Sequence, residues 1–197
     1  AQGSYYWKWE SLSNPSLSNI GIANGNTVMD NLPMGFIKVT LTLAGTNPLH
    51  AFSTNNLTPN QSAALIAVES WGDVVWSTMN NMFSNATQLN QLPTNQAPNL
   101  SRATSMDQMF YNAHSFNQSI NHWDVSHITS MKGLFKGATA FNQPLNNWNM
   151  SNVSNIDELF MDATSFNQAI ANWNVSNITR MQNVFSGATS FNQPLND

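Results

Sequence analysis

The sequence predicts an α/β fold, a solenoid of about five ~25-residue strand–helix turns behind a small β-rich N-terminal cap. Three observations predict it. Aromatic residues recur in columns at one fixed period, hydrophobic periodicity changes within each period, and residues 1–63 alternate without repeating.

The columns come first because self-similarity decides the architecture. Phe135, Phe160 and Phe185 are 25 residues apart, as are Phe116, Phe141, Phe166 and Phe191, and Trp123, Trp148 and Trp173. Residues 141–146 recur unchanged at 191–196. Backwards the period decays: Phe110 lies 25 before Phe135, Met106 matches Met131, and Ala113 matches Ala138. A Pro-containing stretch at 88–98 lengthens the preceding turn, leaving Phe83 27 residues before Phe110. Trp71 precedes Phe83 by 12, as Trp123 precedes Phe135. The repeats therefore occupy residues 64–197.

Within a turn, Trp148 and Met150 alternate with Asn147, Asn149 and Ser151, the period-2 pattern of a half-buried strand. Trp123 with Val125 and Trp173 with Val175 repeat it. The period then lengthens. Met131, Leu134, Phe135 and Ala138 stand at i, i+3, i+4 and i+7, as do Met181, Val184, Phe185 and Ala188, which predicts a short helix. Thr179 and Gln182 suit its capping box. Phe141 with Leu145, or Phe166 with Ile170, re-enters the core, and Pro144 and Pro194 fall in the return loop. One such turn cannot bury its apolar side alone; stacked turns bury a continuous one.

The cap is read from alternation. Ile37, Val39, Leu41 and Leu43 alternate with Lys38, Thr40 and Thr42, and Tyr5, Trp7 and Trp9 alternate likewise, giving two strands. Asn24-Gly25 between Ile20/Ile22 and Val28 signals a hairpin. Pro59 after Thr58 starts a short helix that yields to extended chain before Trp71. An independent β domain is the alternative to a cap.

Composition narrows the function. Charged residues are only 8% of the chain, and 31 asparagines supply the polarity instead. A net charge of -4 with six scattered cations argues against nucleic-acid and anionic-membrane binding. No cysteine is present, so disulfides and thiolate metal sites are excluded, and no apolar run approaches a membrane span.

The pattern W-[ND]-[VM]-S-[NH]-[VI]-x-x-[MI]-x-x-x-F-x-x-A-x-x-F-N-Q at 123–143, 148–168 and 173–193 resembles BspA-like leucine-rich repeats. It is most similar to the variant found in mycoplasmal surface lipoproteins and other bacterial surface proteins, and residues 71–83 resemble the divergent opening turn of such arrays. The resemblance implies a right-handed leucine-rich-repeat-type solenoid over residues 64–197, with surface attachment or protein binding as its role and no catalytic residues. Two features depart from the family: no lipobox cysteine occurs, and the array reaches Asp197 without a capping segment. The expectation is that the natural chain continues or that other contacts cover this end.

No Ser/His/Asp set, phosphate loop or zincin motif appears. Of His50, His114, His122 and His127, the pair His122 and His127 flanks one predicted strand beside Asp124, where other turns carry Asn147, Asn152, Asn172 and Asn177; this reads as repeat variation rather than a metal site. Asp157, Glu158 and Asp162 read as a solvated helix face, and Asn117, Asn142, Asn167 and Asn192 as a hydrogen-bonded ladder. The Trp column reads as core. Tyr5, Tyr6, Trp7 and Trp9 could meet a ligand, but nothing requires it, and the nine Asn-x-Ser/Thr sequons follow from composition.

The candidate binding residues are those on the outward strand phase: His122, Asp124 and Ser126, then Asn147, Asn149 and Ser151, then Asn172, Asn174 and Ser176. The expected function is a non-catalytic, extracellular or cell-surface module for adhesion or protein–protein interaction, without cofactor. The partner is a protein on a host or neighbouring cell, or a glycan. A carbohydrate-binding module and a structural spacer are the alternatives, and an enzyme is the weakest reading.

Overall fold

The computed structural model describes residues 4–11, 18–24, 37–43, 53–54, 59–63, 65–68 and 70–195. Near the N-terminus, β1 (Ser4–Ser11), β2 (Ser18–Asn24) and β3 (Ile37–Leu43) form one antiparallel sheet in the order β2-β1-β3. Tyr5 pairs with Ala23 on one side and Leu43 on the other. The strand holding Ile20 and Ile22 thus pairs with β1; Gly25 and Val28 lie outside the described residues. Helix α1 (Pro59–Ala63) opens with the expected proline.

From residue 65 onward the α/β expectation fails, and with it the leucine-rich-repeat geometry. Among the described residues of this region no helix forms, and pairing is confined to isolated parallel bridges such as Ser105↔Ser130↔Asn155↔Arg180. The segment 131–138, predicted helical, is a ribbon of overlapping turns. Leu134, Lys136 and Ala138 donate their N–H groups three residues back, to Met131, Gly133 and Phe135. Gly133 and Gly137 have φ of 59° and 71°, a left-handed state that an α-helix of L-residues cannot contain. Turns with the left-handed residue third accept it readily.

The alternate N–H groups leave the coil altogether. Met131, Gly133, Phe135 and Gly137 donate to the carbonyls of Asn155, Asp157, Leu159 and Met161 in the next coil, at 2.8–2.9 Å. Phe110 donates likewise to Leu134, and Phe160 to Val184, each at 2.9 Å. Such a ribbon buries i, i+3, i+4 and i+7 just as a helix would, since Met131, Leu134, Phe135 and Ala138 are all fully buried. The capping box fails with the helix: the Gln182 N–H reaches Asp157 Oδ1, and Thr179 Oγ1 reaches the Ser154 carbonyl.

The strand predicted around each tryptophan is also a pair of turns. Trp148 donates to the Leu145 carbonyl and Val153 to that of Met150. Between them the Ser151 N–H donates to Asn149 Oδ1, the local side-chain turn that asparagine favours over a sheet ladder.

What the coils share is an aromatic interior. Phe110, Phe135, Phe160 and Phe185 stack with centroids 5.6–5.7 Å apart. Phe116, Phe141, Phe166 and Phe191 form a second stack at 5.7–6.0 Å. The bonded network begins before residue 64, because Thr54 donates its N–H to Asn81 and its hydroxyl to Ser84. In the last coil Val175, Met181 and Leu195 are about half exposed, whereas Val125, Met131 and Leu145 in earlier coils are buried.

Candidate functional site

Asparagine sets the geometry of the outward face. Asp124, Asn149 and Asn174 each accept the N–H of the serine two residues on, Ser126, Ser151 and Ser176, at 3.0–3.1 Å. Asn99 and Ser101 make the same turn one coil earlier, so this column begins before the predicted residues. The turns of Asp124 and Asn149 each place one polar side chain outward between two buried apolar ones. Asp124 is exposed between Trp123 and Val125, and Asn149 between Trp148 and Met150.

Along the stack, the remaining predicted residues tie coil to coil. His122 Nε2 lies 3.2 Å from the Gln96 carbonyl, and Asn172 Nδ2 donates to the Asn146 carbonyl at 2.7 Å. The Asn147 N–H donates to Asn121 Oδ1, and Asn174 Nδ2 to Ser151 Oγ. His122, Asp124, Asn147, Asn149, Asn172, Asn174 and Ser176 are exposed; Ser126 and Ser151 are half-buried. The structure thus brings all nine onto one array.

Besides Asn99 and Ser101, sequence reasoning missed two more members of it. Asn152 and Asn177 donate through Nδ2 to the Ser126 and Ser151 carbonyls at 2.6 Å, locking neighbouring coils. Their signal was present as asparagines 25 residues apart, but they fall outside the strand phase first assigned.

The other candidates have structural work. Oδ1 of Asn117, Asn142 and Asn167 each accepts the N–H of the asparagine and Nε2 of the glutamine in the next coil, at 2.9–3.1 Å. Trp123, Trp148 and Trp173 are buried, and the latter two donate Nε1 to the Ile120 and Leu145 carbonyls. Among the described residues, the buried indole N–H groups of Trp71, Trp76 and Trp123 have no partner; Trp71 and Trp123 meet edge to face at 5.5 Å. The side chains of Tyr5, Tyr6, Trp7 and Trp9 lie outside the described residues.

Asp157, Glu158 and Asp162 share no helix face. Asp157 is buried and paired with Arg180 at 2.7 Å, Glu158 pairs with Lys136 at 2.8 Å, and Asp162 is exposed. The hydrogen bond from the Gln182 N–H, helped by Arg180, holds the Asp157 carboxyl below its ordinary 3.8. A depressed folded value means that this carboxylate stabilises the fold above the ordinary carboxylate range, and that the contribution is lost as pH falls through the folded value. Asp157→Asn keeps one acceptor for Gln182 and gives up Arg180. In urea melts, the variant's deficit should hold steady from pH 7 to 5 and close below about pH 4. A deficit unchanged down to pH 2 would remove the carboxylate from the explanation.

Among the described residues no group of three or more His, Asp or Glu side chains is placed to hold a metal ion, and no helix is long and apolar enough to cross a membrane.

The fold and face define a repeat protein of stacked, turn-built coils whose outer array is almost wholly neutral amide and hydroxyl. The chain belongs to DUF285, a family described as Mycoplasma protein of unknown function, which it matches over residues 77–197. That description says nothing of leucine-rich repeats. No curated protein and no solved structure matches the chain.

Proposed function

We propose that this chain is a non-catalytic interaction module of the cell surface or exterior, which engages a protein partner through the outward array and so serves adhesion. The observation that carries the reading is the fixed polar array itself. Asp124, Asn149 and Asn174 are exposed yet already held by their own turns. Ordering a free side chain at an interface costs about 0.5–1.5 kcal/mol, and a face set before binding avoids much of that. Burial of the Trp column weighs against the glycan reading, which calls for exposed rings beside the amides.

Asn149→Asp with Asn174→Asp tests it. Both substitutions keep the turn-capping oxygen, as Asp124 does naturally, and place two charges on the face. The wild-type chain should bind specific members of a surface-protein array and lose them in the double variant at unchanged Tm. Hits that survive the variant, or hits confined to a glycan array, would contradict the proposal.

A further inference from the structure

Coil by coil, the turn-capping position of the outward array is neutral except in one place. At the turn-capping position, Asn99, Asn149 and Asn174 flank a single carboxylate, Asp124. Asparagine performs the capping bond in three coils at 3.1 Å, and Asp124 does the same at 3.0 Å. The capping bond therefore does not require the charge. Asp124 is exposed, and among the described residues no cation pairs with it.

The same coil departs from the asparagine pattern twice more. His122 only reproduces the bond that Asn172 makes to the preceding coil. His127 occupies the position from which Asn152 and Asn177 bond the preceding coil at 2.6 Å, and instead sits 3.3 Å from the neighbouring Ser126 hydroxyl. A coil-to-coil hydrogen bond has been given up there. Arg102 holds the equivalent position one coil earlier and is exposed. Ionisable groups thus gather on two adjacent coils, whereas Asn147, Asn149, Asn152, Asn172, Asn174 and Asn177 keep the next two neutral.

We infer that the partner presents a lysine or arginine side chain to Asp124, the only carboxylate at the turn-capping position among the described residues, with the surrounding amides and hydroxyls bonding its main chain. The inference rests on the interaction reading above. Hydrogen bonds from the Ser126 hydroxyl and N–H hold the Asp124 carboxyl below its ordinary 3.8 and keep it ionised near neutrality. The Ser126 N–H bond to Oδ1 fixes the carboxylate on the exposed face, where a cation can approach it.

The probe is a display library of random twelve-residue peptides selected on the wild-type chain and on Asp124→Asn, which retains the capping oxygen. Contacts are then mapped by amide chemical shifts. Peptides that perturb the array, are enriched in Lys or Arg, and bind Asp124→Asn about tenfold more weakly support the inference. Peptides that perturb the array without that enrichment, or that bind both chains equally, overturn it and leave the interaction reading standing. Selection yielding no peptide on the array overturns both.

Discussion

Phe135→Ala should lower stability by about 3–5 kcal/mol, the range for deleting a fully buried phenylalanine. The ring is completely buried and stacks on Phe110 at 5.7 Å, Phe160 at 5.6 Å and Phe141 at 4.0 Å, with Trp148 at 6.2 Å. Truncation empties a site walled by three successive coils whose backbones are tied together, so little collapse can fill it. Phe185 occupies the same column but is only half-buried in the last coil, and Phe185→Ala should cost clearly less. Urea denaturation of both variants checks the ordering. Equal losses would mean that the column is not the shared interior described above.

The second large effect is at Gly137. Its φ is 71°, and a Cβ there would run into Asn112 Oδ1 of the preceding coil. Gly137→Ala should therefore lose about 1–3 kcal/mol to backbone strain alone. Displacing Asn112 also threatens its 3.1 Å bond to Asn85, which adds to the loss. The opposite exchange should stabilise. Gln108 holds φ of 55° without being glycine or asparagine, so Gln108→Gly should raise the Tm. If Gly137→Ala is neutral and Gln108→Gly is destabilising, the ribbon has been misassigned.

These two sites show what the sequence reveals and what it conceals. Large apolar residues at a strict 25-residue period can be read directly, because identical coils must stack to bury them, and the buried Phe and Trp columns follow. The path of the chain between them cannot be read from burial alone. Helix and turn ribbon hide the same i, i+3, i+4 and i+7 positions, so Met131, Leu134, Phe135 and Ala138 fit both. The discriminating signal is the pair of left-handed positions four residues apart: Gly133 and Gly137, Asn183 and Gly187, Asn81 and Asn85. Gly and Asn tolerate that conformation best. Gln108, Glu158 and Asp162 blur the pattern by occupying the same positions with other residues. At the outward face, alternation marks the exposed residues, because turns about Asn149 expose and bury in the same sequence as a strand. The coil-locking role of Asn152 and Asn177 is invisible until the serine carbonyls of the preceding coil are placed beside them.

Hydrogen-bond scalar couplings in solution test the architecture most directly. The stacked-coil account predicts couplings from the amide of Phe110 to the carbonyl of Leu134, from Phe135 to Leu159, and from Phe160 to Val184. A coupling from the Phe135 amide to the Met131 carbonyl, with none to Leu159, would mean a helix at 131–138 and would contradict it.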